Sequence, residues 1–269
     1  MFDTGLTTQL GFGLAVYPNR GLVDAALSVS RGGRQESVYG SAPLSTDRET
    51  RAGPLRLEVI EPMRVLRIVL EDYGGLSADL TFTEHSMAPA QSGIYFAWTL
   101  LHFPRECLLA AVNETPDGRR EARTVAVLPA IGPRDPAYGD DQAIARGDEF
   151  EFSVDYAPGT RRPAHAGLRI GPRGAISHTL GIEPRHLFPM KGLGYSHPKW
   201  PHGKDHGGEV AGSDAWDIAG LDPVARENIH VQQLCRAVRE DGQVGLGLFE
   251  HVAIGAHAPS GLPDGLAPP

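Results

Sequence analysis

The chain has 269 residues, 41% of them hydrophobic, and a formal net charge of -8 at pH 7. This length and apolar content are ordinary for a soluble protein with a hydrophobic core, and they exclude a disordered chain. Because the sequence has no run of Lys or Arg, it also lacks the clustered positive charge that binds nucleic acids or anionic membranes. We therefore expect no nucleic-acid partner.

The N-terminal part of the chain alternates apolar and polar residues, which is the period-two pattern of half-buried β-strands. The strand candidates there are QLGFGLAVY, LVDAALSVS, PLRLEVIEP, RVLRIVLED and LSADLTFTE. Polar turn residues follow at HSMAPAQSG (85–93). We interpret this stretch as a boundary and predict an N-terminal β unit over residues 1–90 and a C-terminal β unit over residues 91–269.

Short strands continue through the C-terminal part, from GIYFAWTLL at its start to VGLGLFEHVAI near its end. Gly-containing turns at TPDGRR (115–120), GPRGA (171–175) and EDGQ (240–243) favour hairpins. A polar stretch at 131–148 remains an alternative boundary. Only DPVAREN (222–228) indicates a helical turn. We therefore predict an all-β fold of two antiparallel barrel or sandwich units with very little helix.

The sequence also carries information on location. No apolar stretch approaches the roughly 20 residues that span a bilayer. The start MFDTGLTTQL lacks the basic and apolar regions of a signal peptide. We expect a cytoplasmic protein without an integral membrane segment.

The stretch GLGYSHPKWPHGKDH (192–206) contains three of the eleven histidines, together with a Tyr, a Trp and an Asp. One interpretation is a metal site, formed by His197, His202, Asp205 and His206, whose side chains suit zinc or iron. The interspersed Pro and Gly oppose the helix that would pair His202 with His206, so we expect no metal. A second interpretation is a structural crossing, in which His and Asp side chains cap backbone N–H groups.

The third interpretation is an acid–base site beside an apolar cavity. Hydration of an alkene requires a positioned acid, a dry wall that protects the cation, and a directed water. The catalytic candidates are Tyr195, His197, His202 and Asp205. Because aromatic faces attract a developing cation, three tryptophans are candidate substrate-binding residues: Trp200, Trp98 and Trp216.

Other catalytic patterns are missing from the sequence. It has neither the G-x-S-x-G turn of many serine hydrolases nor the glycine-rich loops that bind nucleotides. We therefore expect no cofactor.

Four stretches resemble a known group of proteins: YPNRGLVDAALSV (17–29), GPLRLEVIEPMRVLRIVLED (53–72), GLGYSHPKWPHG (192–203), and HVQQLCRAV through GLGLFEHVAIGAHAPSG (230–261). They resemble uncharacterised bacterial proteins of the lipocalin-like superfamily related to carotenoid 1,2-hydratase, also called hydroxyneurosporene synthase. The resemblance implies two lipocalin-like β units. In that group a longer segment with a pattern like RDHSWG occupies the place where this chain has only HSMAPAQ (85–91). An Asp–His pair that could serve catalysis in the relatives is therefore missing at this point.

Together these features predict a protein that binds a small hydrophobic molecule, such as an isoprenoid, a steroid or a fatty acid. Such a protein is a candidate for a hydratase or dehydratase (a lyase), an isomerase or a cyclase that needs no cofactor. Two alternatives remain open: a noncatalytic lipid or terpenoid carrier, and a metal-dependent enzyme that uses the histidines of 197–206.

Overall fold

The computed structural model describes residues 8–45, 47–61, 65–83, 95–129, 145–146, 149–171, 178–201, 206 and 208–268. The described residues form 17 strands, joined by turns and short 3-10 helices. In chain order the strands are β1 (Thr8–Tyr17), β2 (Leu22–Arg31), β3 (Arg34–Pro43), β4 (Glu49–Ala52), β5 (Leu55–Glu61), β6 (Val65–Tyr73), β7 (Leu76–Thr83), β8 (Tyr95–His102), β9 (Glu106–Glu114), β10 (Arg120–Pro129), β11 (Ala145–Arg146), β12 (Glu149–Tyr156), β13 (Pro163–Gly171), β14 (His178–Pro189), β15 (Ala211–Asp217), β16 (Val231–Arg239) and β17 (Val244–Ala253). The predicted all-β fold is confirmed.

The first compact unit contains residues 1–86 and 190–221. It has two four-stranded sheets: sheet A, in the order β1-β2-β3-β15, and sheet B, in the order β4-β5-β6-β7. Because side chains alternate along a strand, Val23 and Leu27 of β2 lie on one face of sheet A. They share a core with Leu55 and Leu70 of sheet B. The unit is therefore a β-sandwich.

The opposite face of sheet A is polar but buried. Ser28 and Ser30 of β2 and Gln35 and Ser37 of β3 are each at most 1% exposed. The Ser28 and Ser37 hydroxyls lie 2.7 Å apart, and the Gln35 amide donates to the Ser28 hydroxyl at 2.8 Å. The 3-10 helix Met190–Leu193 packs against this face. Hydrogen bonds among these side chains offset the cost of removing them from water.

The second compact unit contains residues 87–189 and 222–269. Its strands form one antiparallel sheet in the order β11-β10-β9-β8-β17-β16-β14-β13-β12. All of them except the two-residue β11 form a nearly closed eight-stranded barrel. The sheet curls until the Arg120 guanidinium of β10 lies 5.3 Å from the centroid of the Phe150 ring of β12. Inward-facing residues such as Leu108, Ile182 and Phe249 fill the interior.

The hairpins predicted at 115–120 and 240–243 are confirmed, since they join β9 to β10 and β16 to β17. Gly118 and Gly242 adopt φ angles of 83° and 82°, a left-handed conformation that glycine enters without steric penalty. The predicted turn at 171–175 lies mostly outside the described residues. Within the predicted helical turn, Arg226–Asn228 forms a 3-10 turn. In the described parts of the chain, no helix has the length and apolar character needed to cross a membrane.

The predicted division into residues 1–90 and 91–269 differs from the compact units at residues 87–90 and in one longer segment, residues 190–221. Residues 190–221 group with the first unit, although in the chain they lie between β14 and β16 of the barrel. The physical reason is strand pairing, because β15 pairs with β3 over its whole length, from Ala211 opposite Gly40 to Asp217 opposite Arg34.

Candidate functional site

The segment 190–201 in the first unit is a turn that is neither a regular helix nor a strand. After the 3-10 helix Met190–Leu193, Gly194 adopts a φ of 90° and Ser196 a φ of 55°. The backbone N–H of Tyr195 donates to the Met190 carbonyl at 3.3 Å. A non-glycine residue at positive φ is uncommon and persists where the surroundings hold it. The segment is therefore held in one conformation by its own packing.

His197 is 4% exposed, and both of its ring nitrogens face partners. Nδ1 accepts the backbone N–H groups of Lys199 and Trp200, each at 3.2 Å. Nε2 lies 3.2 Å from Oδ2 of Asp214 on β15. Burial lowers the pKa of His197, and the charge of Asp214 opposes this shift. Because two backbone donors occupy Nδ1, the neutral ring carries its proton on Nε2, and His197 positions this segment.

Asp214 connects the turn to sheet A. Its Oδ1 accepts a hydrogen bond from Nζ of Lys199 at 2.6 Å. Burial disfavours the charge of Asp214, but Lys199 outweighs this effect and holds the pKa of Asp214 below its ordinary value. Trp216 lies on the same face of β15, and Nζ of Lys191 is 4.6 Å from the centroid of its ring. A side chain of the protein itself therefore occupies the face of Trp216 that would attract a cation.

An apolar depression lies next to this cluster, within the first unit. It is shallow: its cavity volume is about 10 Å³, about the space that one water molecule needs. Its walls and floor are formed by Asp24, Ala25, Ala26, Tyr39, Gly40, Trp200, His206 and Val210. The rings of Tyr39 and Trp200 stack with centroids 3.9 Å apart, and the hydroxyl of Ser41 donates to Oδ1 of Asp24 at 2.6 Å. The depression thus combines an aromatic wall with one carboxylate and one imidazole.

Only one of the predicted substrate-binding tryptophans, Trp200, lines the depression. Trp98 lies on β8 between Ala97 and Thr99, which are both 0% exposed, so its side chain lies on the outer face of the barrel. Among the predicted catalytic residues, Tyr195 is 43% exposed. His202 and Asp205 lie outside the described residues. Their roles, and the metal site that would need them, stay predictions.

Sequence reasoning missed a polar cluster inside the barrel of the second unit. His251 of β17 is 0% exposed, and its Nε2 lies 3.1 Å from the hydroxyl of Tyr156. The Tyr95 ring contacts the His251 ring edge-on at a centroid distance of 5.1 Å. Burial lowers the pKa of His251 to about 3 and raises the pKa of Tyr156 to about 12. His251 is therefore neutral at pH 7.

His257 extends this cluster toward the surface. Its Nε2 lies 3.0 Å from Oε2 of Glu114, and its Nδ1 lies 2.8 Å from the hydroxyl of Ser260. Burial lowers the pKa of His257, and Glu114 opposes the shift. Period-two alternation in VGLGLFEHVAI could have placed His251 beside Phe249 on the inward face. No sequence pattern joins His257 to Glu114, because the two residues are 143 positions apart.

Two solved structures resemble this chain at low sequence identity. A protein of Nitrosomonas europaea described as an AttH is 10% identical, with a TM-score of 0.46, and the alignment covers 86% of this chain and 80% of that chain. Kievitone hydratase from Nectria haematococca is 10% identical, with a TM-score of 0.35 and coverage of 91% and 88%. At this level of similarity neither structure indicates an activity for this chain. No curated protein is similar in sequence.

The match to a protein family is more extensive in sequence than these structural similarities. Residues 1–88 and 83–263 match the family of unknown function DUF8625. The two matched parts overlap at 83–88. The link to carotenoid hydratases stays a prediction. Since the matched residues extend over most of the sequence, the protein belongs to the DUF8625 family.

Proposed function

We propose that the protein binds a small hydrophobic molecule of isoprenoid, steroid or fatty-acid type in the depression of the first unit. The observation that carries this proposal is the aromatic wall of Trp200 and Tyr39 beside the small residue Ala26. Small-molecule sites are concave and mainly apolar, with a few polar groups that orient the ligand. Asp24 supplies such a group here. A cytoplasmic location is part of this proposal.

We further propose that the bound molecule undergoes hydration or dehydration without a cofactor. Asp24 is the acid that protonates an alkene carbon in hydration or the departing hydroxyl in dehydration. His206 is the base that takes a proton from the attacking water in hydration, or from the carbon next to the cation in dehydration. The aromatic wall stabilises the cation that forms between these steps. The hydrogen bond from Ser41 holds the carboxyl group of Asp24 in a fixed orientation.

Binding is tested by closing the depression. Val210→Trp places a large ring in the depression, whereas Val16→Trp adds the same ring at a position in the first unit that is 54% exposed. Calorimetric titration with farnesol, oleate and a steroid should show at least one ligand that binds the wild type and the Val16→Trp variant but not Val210→Trp. Equal affinity for all three proteins would contradict the proposed site.

Catalysis is tested separately from binding. Asp24→Asn keeps the shape of the side chain and an acceptor for Ser41 but removes the acid, so the ligand should still bind. The rate of hydration or dehydration should fall by about 100-fold or more, because a positioned acid contributes roughly that factor. A ligand that binds the wild type and is released unchanged would instead identify a carrier, the alternative that the mainly apolar lining favours.

A further inference from the structure

Ser260, His257 and Glu114 in the second unit form a chain of nucleophile, base and carboxylate. The Ser260 hydroxyl lies 2.8 Å from Nδ1 of His257, and Nε2 of the same ring lies 3.0 Å from Oε2 of Glu114. Ser260 and Glu114 are partly exposed, while His257 is 1% exposed. Serine, imidazole and carboxylate are connected in the order by which a serine hydroxyl is activated, although Nδ1 and Nε2 have exchanged their usual roles.

The hydrogen bonds of this group determine the protonation of its imidazole. Nε of Arg120 lies 3.3 Å from Oε1 of Glu114, so the guanidinium and the carboxylate form an ion pair. An ionised Glu114 can only accept, so Nε2 of His257 carries the proton and Nδ1 is left with a lone pair. The lone pair faces the Ser260 hydroxyl, so Nδ1 can receive the hydroxyl proton. Glu114 then stabilises the imidazolium that results.

The surroundings hold these groups in place. The Tyr95 ring stacks on the His257 ring with centroids 3.9 Å apart and interplanar angle 15°. Ser260 ends the 3-10 helix Ala258–Ser260, and Gly261 follows with a φ of 66°, which turns the chain sharply after the serine. The hydroxyls of Tyr95 and Tyr156 lie near Ser260. Tyrosine hydroxyls are donors that can stabilise an oxyanion formed next to the serine.

We propose that this cluster is a serine esterase site for small carboxylic esters, with Ser260 as nucleophile, His257 as general base and Glu114 as the positioning carboxylate. The Ser260 oxygen forms a bond to the carbonyl carbon while its proton moves to Nδ1 of His257. The bond to the alkoxy group breaks, and Nδ1 returns the proton to the departing alcohol. Water then attacks the acyl group, gives a proton to Nδ1, and releases the carboxylic acid as Ser260 regains its proton.

The test uses the intact wild-type protein and a fluorophosphonate, which phosphonylates activated serines. We expect one phosphonyl group per chain by intact mass spectrometry, and peptide mapping should locate it on Ser260. Ser260→Ala should abolish labelling, whereas Ser213→Ala, at an exposed serine of the first unit, should leave it unchanged. No labelling of the wild type, or labelling mapped to another residue, would overturn the proposal whether or not the Ser260→Ala variant folds.

The role of Glu114 is tested by a separate variant, whose labelling rate and pH dependence are measured. Glu114→Gln keeps the side-chain shape but cannot stabilise the imidazolium, so the labelling rate should fall by about 100-fold or more. Because Glu114 opposes the lowering of the His257 pKa, the acid limb of the pH–rate profile should also move to lower pH. An unchanged rate and profile would remove Glu114 from the mechanism. These measurements concern the second unit, so their failure would leave the ligand site proposed for the first unit untouched.

Discussion

At the scale of single residues, two histidines of this protein have quite different surroundings. His197 contacts backbone donors and a carboxylate, whereas His251 is enclosed by aromatic rings inside the barrel. Both are buried, and burial lowers the pKa of each. Burial alone therefore does not show what a histidine does, and the partners of its ring atoms have to be considered as well.

Replacing His197 tests its positioning role. His197→Ala leaves two buried backbone N–H groups without an acceptor and opens a cavity beside Trp200, so unfolding free energy should fall by about 3 kcal/mol. His197→Asn should recover part of this loss, because its Oδ1 can accept in place of Nδ1. Urea unfolding measures both variants, and His165→Ala, at a largely exposed histidine, is the control. Equal stability of His197→Ala and wild type would contradict the role.

The lowered pKa of His251 should make the stability of the protein depend on pH. Its pKa is about 3 in the folded protein and near 6.5 when exposed, so below pH 6.5 the unfolded chain takes up a proton that the folded protein does not. Each pH unit below 6.5 then lowers the unfolding free energy by about 1.4 kcal/mol, down to the folded pKa. In His251→Gln this contribution disappears. The difference in unfolding free energy between the variant and the wild type should therefore change with pH at that slope. Parallel urea midpoints from pH 7 to pH 4 would contradict the prediction.

At the scale of structural elements, the 3-10 helix Met190–Leu193 needs glycine at one position. A Cβ on Gly192 would lie 2.3 Å from Nε2 of Gln35 and from Oγ of Ser28, both buried on sheet A. Gly192→Ala must displace this hydrogen-bonded group, and overpacking of this kind costs about 2 kcal/mol. Gly220→Ala is the matched control, because its added Cβ meets no atom within 4 Å. In thermal unfolding, the midpoint temperature of Gly192→Ala should be clearly lower than that of Gly220→Ala.

A second element-scale feature is the C-terminal segment that follows β17. The buried guanidinium of Arg161 donates to the carbonyl of Ala253 at the end of β17 and to three carbonyls of this segment: Gly255, Pro263 and Ala267. Arg161→Leu leaves these acceptors without their donors, so the segment should detach locally while the barrel stays folded. Hydrogen exchange of residues 254–267 should accelerate in the variant, whereas Arg169→Leu, at an exposed arginine of β13, should have no such effect.

At the scale of the whole molecule, two separate parts of the chain, residues 1–86 and 190–221, form the first unit. β15 completes sheet A, and the 3-10 helix before it covers the buried polar face of that sheet. A fragment of residues 1–90 would expose the edge of β3 and the Ser28–Ser37 face, and exposed edges promote association. We predict that this fragment alone gives no cooperative unfolding transition, and that a version joined to residues 190–221 by a flexible linker does. Independent folding of residues 1–90 would favour the division predicted from sequence.

The sequence by itself determined the all-β class and the hairpins at 115–120 and 240–243. These features follow from period-two alternation and from Gly and Pro in turns, which are local properties. Only the tertiary structure decided that residues 190–221 belong with the first unit, that Nδ1 of His197 is occupied, and that Glu114 meets His257. Pairing between distant strands brings these groups together, and the pattern of residues within one strand carries no information about which distant strand will be its partner.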